Sequence, residues 1–122
     1  MDIDSSKASQ ETEIRQGDAK VRITIDDAKQ IRTALLDALR QSNLGDRDEL
    51  IAFTEPLPAW IDSDGRVMIG GWLLQLRDRQ VVATYRLSQN EERAVGYTAL
   101  VTKDEKGWRV TRIVPEHIRF RR

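Results

Sequence analysis

Few residues in this chain have side chains suited to chemistry, and the first of them is a histidine. His117 is the only one in 122 residues and follows Glu116 directly. A carboxylate beside an imidazole is the arrangement that orients a general base. A Ser–His–Asp triad would have to use His117, and a multi-histidine metal site is ruled out. The plainer reading is a surface histidine beside a basic tail. Tyr85, Tyr97 and Arg112 are the other candidates. Strand parity places both tyrosines on an apolar inner face, where each hydroxyl needs a partner. Arg112 shares the parity of Trp108 and Val110, which turns a charge inward unless it snorkels out or a bulge at residues 111–112 intervenes. Together Tyr85, Tyr97, Arg112 and His117 would line a small cavity for an anionic ligand. No catalytic set is assigned.

Other chemistries are closed by composition and spacing. There is no cysteine, which removes disulfides, thiolate zinc sites, iron–sulfur clusters and thiol nucleophiles. Asp62 and Asp64 flank a turn, but calcium takes six or more oxygens, so they read as turn residues. The "IGGW" stretch lacks the spacing and following helix of a phosphate loop. No metal and no cofactor are therefore expected. Lys plus Arg equals Asp plus Glu at 20 each. Zero net charge speaks against a general nucleic-acid or anionic-membrane binder, although residues 103–122 carry seven basic groups against three acidic. No apolar run approaches the ~20 residues of a membrane span.

Placing those residues takes a fold, and the length allows one domain with its own core. Residues 1–20 are poor in large apolar side chains and read as a disordered leader or linker ahead of a single domain at 21–122. Such a leader suits a cytosolic protein, or an exported domain held off a membrane after a signal or anchor is removed; the second, periplasmic or secreted, is the reading preferred here. "VRITI" at 21–25 alternates as a strand. Asp27 with Gln30 makes a capping-box spacing, and Ile31, Leu35, Ala38, Leu39 and Ser42 form one stripe, predicting a helix over 28–42. Asn43 or Gly45 would close it in the left-handed conformation. Residues 46–61 read poorly. "ELIAF" fits a helical turn or a short strand, while Pro56 and Pro58 restrict "EPLPAWI" to an edge strand or extended loop.

The stretch "RVMIGGWLLQL" alternates, slips by one place and alternates again. Val67 and Ile69 are odd-numbered; Trp72, Leu74 and Leu76 are even. A β-bulge at Gly70 and Gly71 would keep both halves of one bent strand facing the same core. Two strands joined by a glycine turn is the alternative. Turns at 78–79, in "SQNEE" and in "KDEKG" then separate three more strands. Val81, Ala83, Tyr85 and Leu87 share a face, as do Val95, Tyr97, Ala99 and Val101. Register becomes ambiguous at residues 113–114, and Pro115 suggests that pairing weakens there.

The fold class is α+β: one N-terminal helix packed on a curved antiparallel sheet of four to six strands. In element order over about 21–117, this resembles the cystatin-like architecture. It is also similar to the cone of nuclear transport factor 2-like domains. The cystatin "QxVxG" stretch and the cone's further helices have no counterpart, so the resemblance implies shape and carries no function. The preferred function is a non-enzymatic domain that binds a protein partner, of inhibitor, immunity or assembly-factor type, exported or envelope-associated. The alternative is a small-molecule binder or cone-type enzyme with a pocket between helix and sheet. A third reading is a homodimer through the outer sheet face, where Leu73, Val82 and Leu100 are apolar.

Overall fold

Thr24 ends a strand and caps a helix. The computed structural model describes the backbone of residues 10–88 and 93–119 and the side chains within 10–85 and 96–116. The first helix, α1, runs Ile25–Gln41. The Thr24 hydroxyl accepts from Asp27 N–H at 3.0 Å, and Thr24 N–H donates to Asp27 Oδ2 at 2.9 Å. This capping box sits one turn earlier than the Asp27–Gln30 spacing implied, so the helix starts before residue 28. The Thr24 hydroxyl satisfies one orphan amide and the Asp27 carboxylate the other, reciprocally. At the other end Ser42 is extended, and both its N–H and its hydroxyl donate to Leu39 O, at 3.1 and 2.8 Å. Neither Asn43 nor Gly45 takes a positive φ, because the serine already closes the helix.

Ahead of α1 stand two strands, β1 (Glu11–Gln16) and β2 (Ala19–Thr24), paired antiparallel around a turn with Gly17 at φ 59°. The composition of 1–20 pointed to no structure; residues 11–16 correct that, and residues 1–9 lie outside the described residues. The signal was hidden in charge. Glu13 faces Arg22 across the pair, Arg22 also reaches Glu11, and Lys20 lies 3.9 Å from Glu13. Complementary cross-strand charges and one apolar anchor, the buried Ile14, hold a strand whose mean hydropathy is low.

A second helix, α2 (Arg47–Thr54), follows, so the expectation of a single helix is corrected and "ELIAF" is helical. Pro56, just past its cap Glu55, keeps it from continuing. The chain then makes β3 (Ala59–Ile61), an edge strand as Pro56 and Pro58 require. Arg32 of α1 fixes this connection by donating to Leu57 O at 2.8 Å and to Glu55 O. Asp62 accepts from Asp64 N–H and Arg66 N–H, each at 2.9 Å, in the following turn.

Gly70 and Gly71 are a turn, not a bulge. They join β4 (Val67–Ile69) to β5 (Trp72–Arg77), which pair antiparallel with Ile69 opposite Trp72. Gly70 has φ 60° and Gly71 does not take a positive φ, the pattern of a type II′ turn. Residues flanking a two-residue hairpin turn lie on the same face, so parity slips by one just as it would across a bulge. Ile69 and Trp72 are both fully buried on that face.

The remaining strands are β6 (Gln80–Ser88), β7 (Arg93–Asp104) and β8 (Gly107–Arg119), and the sheet order is β3-β4-β5-β6-β7-β8 throughout antiparallel. A bulge does occur, in β8: Val101 faces Val110 while Leu100 faces Arg112, leaving Thr111 unpaired. Pairing continues past Pro115 to Arg119, because β8 is an edge strand and the missing proline N–H costs no ladder bond on its open side. The α1 stripe of Ala28, Ile31, Leu35 and Leu39 lies on the inner face against Trp72, Leu74, Ala83, Ala99 and Val101, all between 0 and 2% exposed.

Candidate functional site

Tyr85 and Tyr97 are direct cross-strand partners on β6 and β7, so the register brings together two of the four candidate residues. Tyr85 leans on Trp72 with ring centroids 5.4 Å apart. Tyr97 is buried, and its hydroxyl donates to Asp46 Oδ2 at the start of α2. Burial, the bond to Asp46 and the nearby negative charges of Asp46 and Glu49 push the Tyr97 phenol up to about 12. Burial, followed by the charge of Glu49, also raises Tyr85. Both phenols therefore stay neutral at physiological pH, and Tyr97 donates its only proton internally. The cluster suits anchoring α2 on the sheet better than abstracting a proton.

Asp46 and Glu49 are the members that sequence reasoning missed. They belong to "GDRDEL", whose acids favour a helix N-terminus. That signal places them locally and says nothing of a tyrosine 51 residues away.

Arg112 does not join the tyrosines. The unpaired Thr111 shifts it onto the outer face opposite Leu100, where it is exposed, as the bulge reading allowed. This corrects the inward placement: one extra residue inverts every facing after it. His117 pairs through its backbone with Val95, and its side chain lies outside the described residues. The four residues thus do not form a described cavity.

The described depressions open on the surface. One of them, about 800 Å³, runs between α1 and the first half of β8. Ala34, Ala38, Trp108 and Val110 are among its lining, with Asp37 on the helix wall and Lys106 on the strand side. Its upper end is fixed by Trp108, whose indole N–H donates to Asp27 Oδ1 at 3.0 Å while Lys103 Nζ lies 5.6 Å from the Trp108 ring centroid. The outer-face apolar group is smaller than the sequence suggested. Val82 is only 2% exposed, leaving Leu73 and Leu100 partly open.

Among the described residues, no three acidic or histidine side chains gather as a metal site. No described helix is long and apolar enough to cross a membrane. No family model matches the chain, and neither a curated protein nor a solved structure matches it.

Proposed function

We propose that this chain is a non-enzymatic protein-binding domain. The observation that carries the reading is the filled centre of the layer between α1 and the sheet, the α1–β8 depression being an open groove at its rim. Ligand pockets enclose most of their ligand in a concavity lined largely by apolar groups. Here that position is occupied by Leu35, Leu39, Trp72, Leu74 and Val101, each at most 2% exposed. The polar residues that would orient a substrate are divided between faces. Tyr97 is engaged by Asp46, and Arg112 lies on the opposite side of the sheet. What the surface offers instead is extended: an edge strand and a shallow groove beside it, features that recognise peptides rather than metabolites.

The test is a pair of titrations of the isotope-labelled full chain, followed by amide chemical shifts. One arm uses peptides selected on the protein from a random displayed library; the other uses a panel of common metabolites. Saturable peptide binding with no metabolite response supports the reading. Saturable metabolite shifts around Tyr85 and Tyr97, with no peptide binding, overturn it in favour of the small-molecule alternative.

A further inference from the structure

The last strand of the sheet has an open side. Among the described residues β8 pairs only with β7, and it extends for 13 residues. Typical strands are about 5–6 residues, and proteins usually shorten, cover or charge their edges to stop unwanted pairing. Pro115 blocks the far end of this one, since it has no amide to offer. The stretch 107–114 remains, with outward-pointing amides and carbonyls available to another strand.

Its two faces differ. By register Arg109, opposite Thr102, and Arg112, opposite Leu100, belong to the outer face, both exposed, with Arg109 also bordering the groove between α1 and β8. Arg109 is partly neutralised by Asp104 at 2.6 Å. On the inner face, the position a seventh strand would occupy coincides with the groove of about 800 Å³ between α1 and β8. There α1 presents Ala34 and Ala38, whose small side chains let a backbone approach, between the polar Gln30, Thr33 and Gln41, and β8 presents Trp108 and Val110 as the apolar floor. Asp37 is on the helix wall, 3.8 Å from Arg40. The edge therefore asks for a strand with acidic side chains on one parity and apolar ones on the other.

We propose that the open edge of β8 takes up an extended acidic segment of a partner protein as a seventh strand, its acidic side chains over Arg109 and Arg112 and its apolar side chains in the α1–β8 groove. The inference rests on the protein-binding reading above and names its surface and the chemistry of its partner. Charge selects this occupant over a second copy of the chain. From Lys103 onward the sequence holds seven basic residues against three acidic, so β8 laid on β8 would juxtapose like charges.

The probes are an alternating Val–Glu peptide slightly longer than the open edge and its Val–Lys counterpart, each titrated into the full chain with hydrogen exchange read at single amides. The expected result is saturable binding of the Glu peptide alone, weakened by salt, with protection concentrated within residues 107–114. Arg112→Glu, alone and combined with Arg109→Glu, weakens binding, the pair by about tenfold or more, at unchanged melting temperature. Two further Glu peptides carry N-methyl groups on alternate amides, in opposite phases. Strand addition predicts that one phase abolishes binding and the other leaves it nearly intact, and this control does not touch the protein. Equal binding of both phases, or of the Glu and Lys peptides, overturns the proposal. If library-selected peptides bind but protect the Tyr85–Tyr97 end instead, this inference falls while the protein-binding reading stands. Failure of every peptide removes both.

Discussion

Trp72 donates its indole N–H to the Thr54 hydroxyl at 2.9 Å, and both side chains are fully buried. The hydroxyl passes its own proton to Leu50 O at 2.6 Å. One threonine at the end of α2 thus satisfies the only polar group of the largest core side chain. Thr54→Val keeps the shape and removes the acceptor, leaving a buried N–H unpaired at a cost of about 1–3 kcal/mol. Thr54→Ser keeps the acceptor and should recover most of that loss. Urea denaturation monitored by circular dichroism checks the order. A valine variant as stable as the parent would show that the bond contributes nothing.

The turn between β4 and β5 is held to the same threonine. A Cβ on Gly70 would stand 3.0 Å from both Thr54 Cα and Thr54 O, at a φ of 60° that L residues resist. A Cβ on Gly71 would meet Tyr85 Cε1 at 3.0 Å, a side-chain contact rather than a backbone one, at a residue without a positive φ. Gly70→Ala should therefore cost roughly 2 kcal/mol or more, from backbone strain plus displacement of α2, and Gly71→Ala distinctly less. Melting temperatures of the two variants decide it, and the reverse order would contradict the turn geometry.

Those glycines also show where the sequence speaks and where it stops. Parity said that Ile69 and Trp72 share a face, and they do. It did not distinguish a bulge in one strand from a two-residue turn between two, since each shifts the alternation by one place. The same ambiguity lay in β8, where the extra residue is Thr111 and its consequence is that Arg112 faces out. The α1 stripe and the meander were legible because apolar periodicity is a property of neighbours. β1 was not, because its one buried apolar residue, Ile14, sits among charges paired across the hairpin, which composition counts as polarity. The Tyr97–Asp46 contact was illegible for a further reason: it joins elements that only the tertiary fold brings together.

That contact has a measurable signature. A free phenol titrates at about 10. Burial and the neighbouring Asp46 hold Tyr97 up to about 12. A group whose folded pKa exceeds its unfolded one stabilises the fold fully below the unfolded value and loses that contribution as pH rises through the folded value. Stability should accordingly fall with pH between about 10 and 12. Phenolate absorbance at about pH 11 should show Tyr97 still largely protonated. Asp46→Asn removes the charge and should bring its titration down towards the ordinary range. Two tyrosines ionising together at the ordinary value would refute the buried pair.

Asp27 works with the opposite sign. Burial pushes its carboxyl up, but the Thr24 N–H, the Trp108 indole N–H, the Thr24 hydroxyl and the charge of Lys103 together outweigh that and hold it below the usual carboxylate range. The depressed pKa stabilises the fold above the unfolded value and fades as pH falls through the folded one. Asp27→Asn keeps an acceptor yet loses the charge that all four partners favour, so it should cost about 1–2 kcal/mol at neutral pH. As pH falls below the ordinary carboxylate range and through the depressed folded value, the parent carboxyl becomes neutral too, and the gap between parent and variant should narrow. Denaturation curves for both at neutral and acid pH measure that gap directly. A gap that stays constant across the range would mean the charge of Asp27 does not hold α1 to β8, and that shape alone positions Trp108 at the head of the groove.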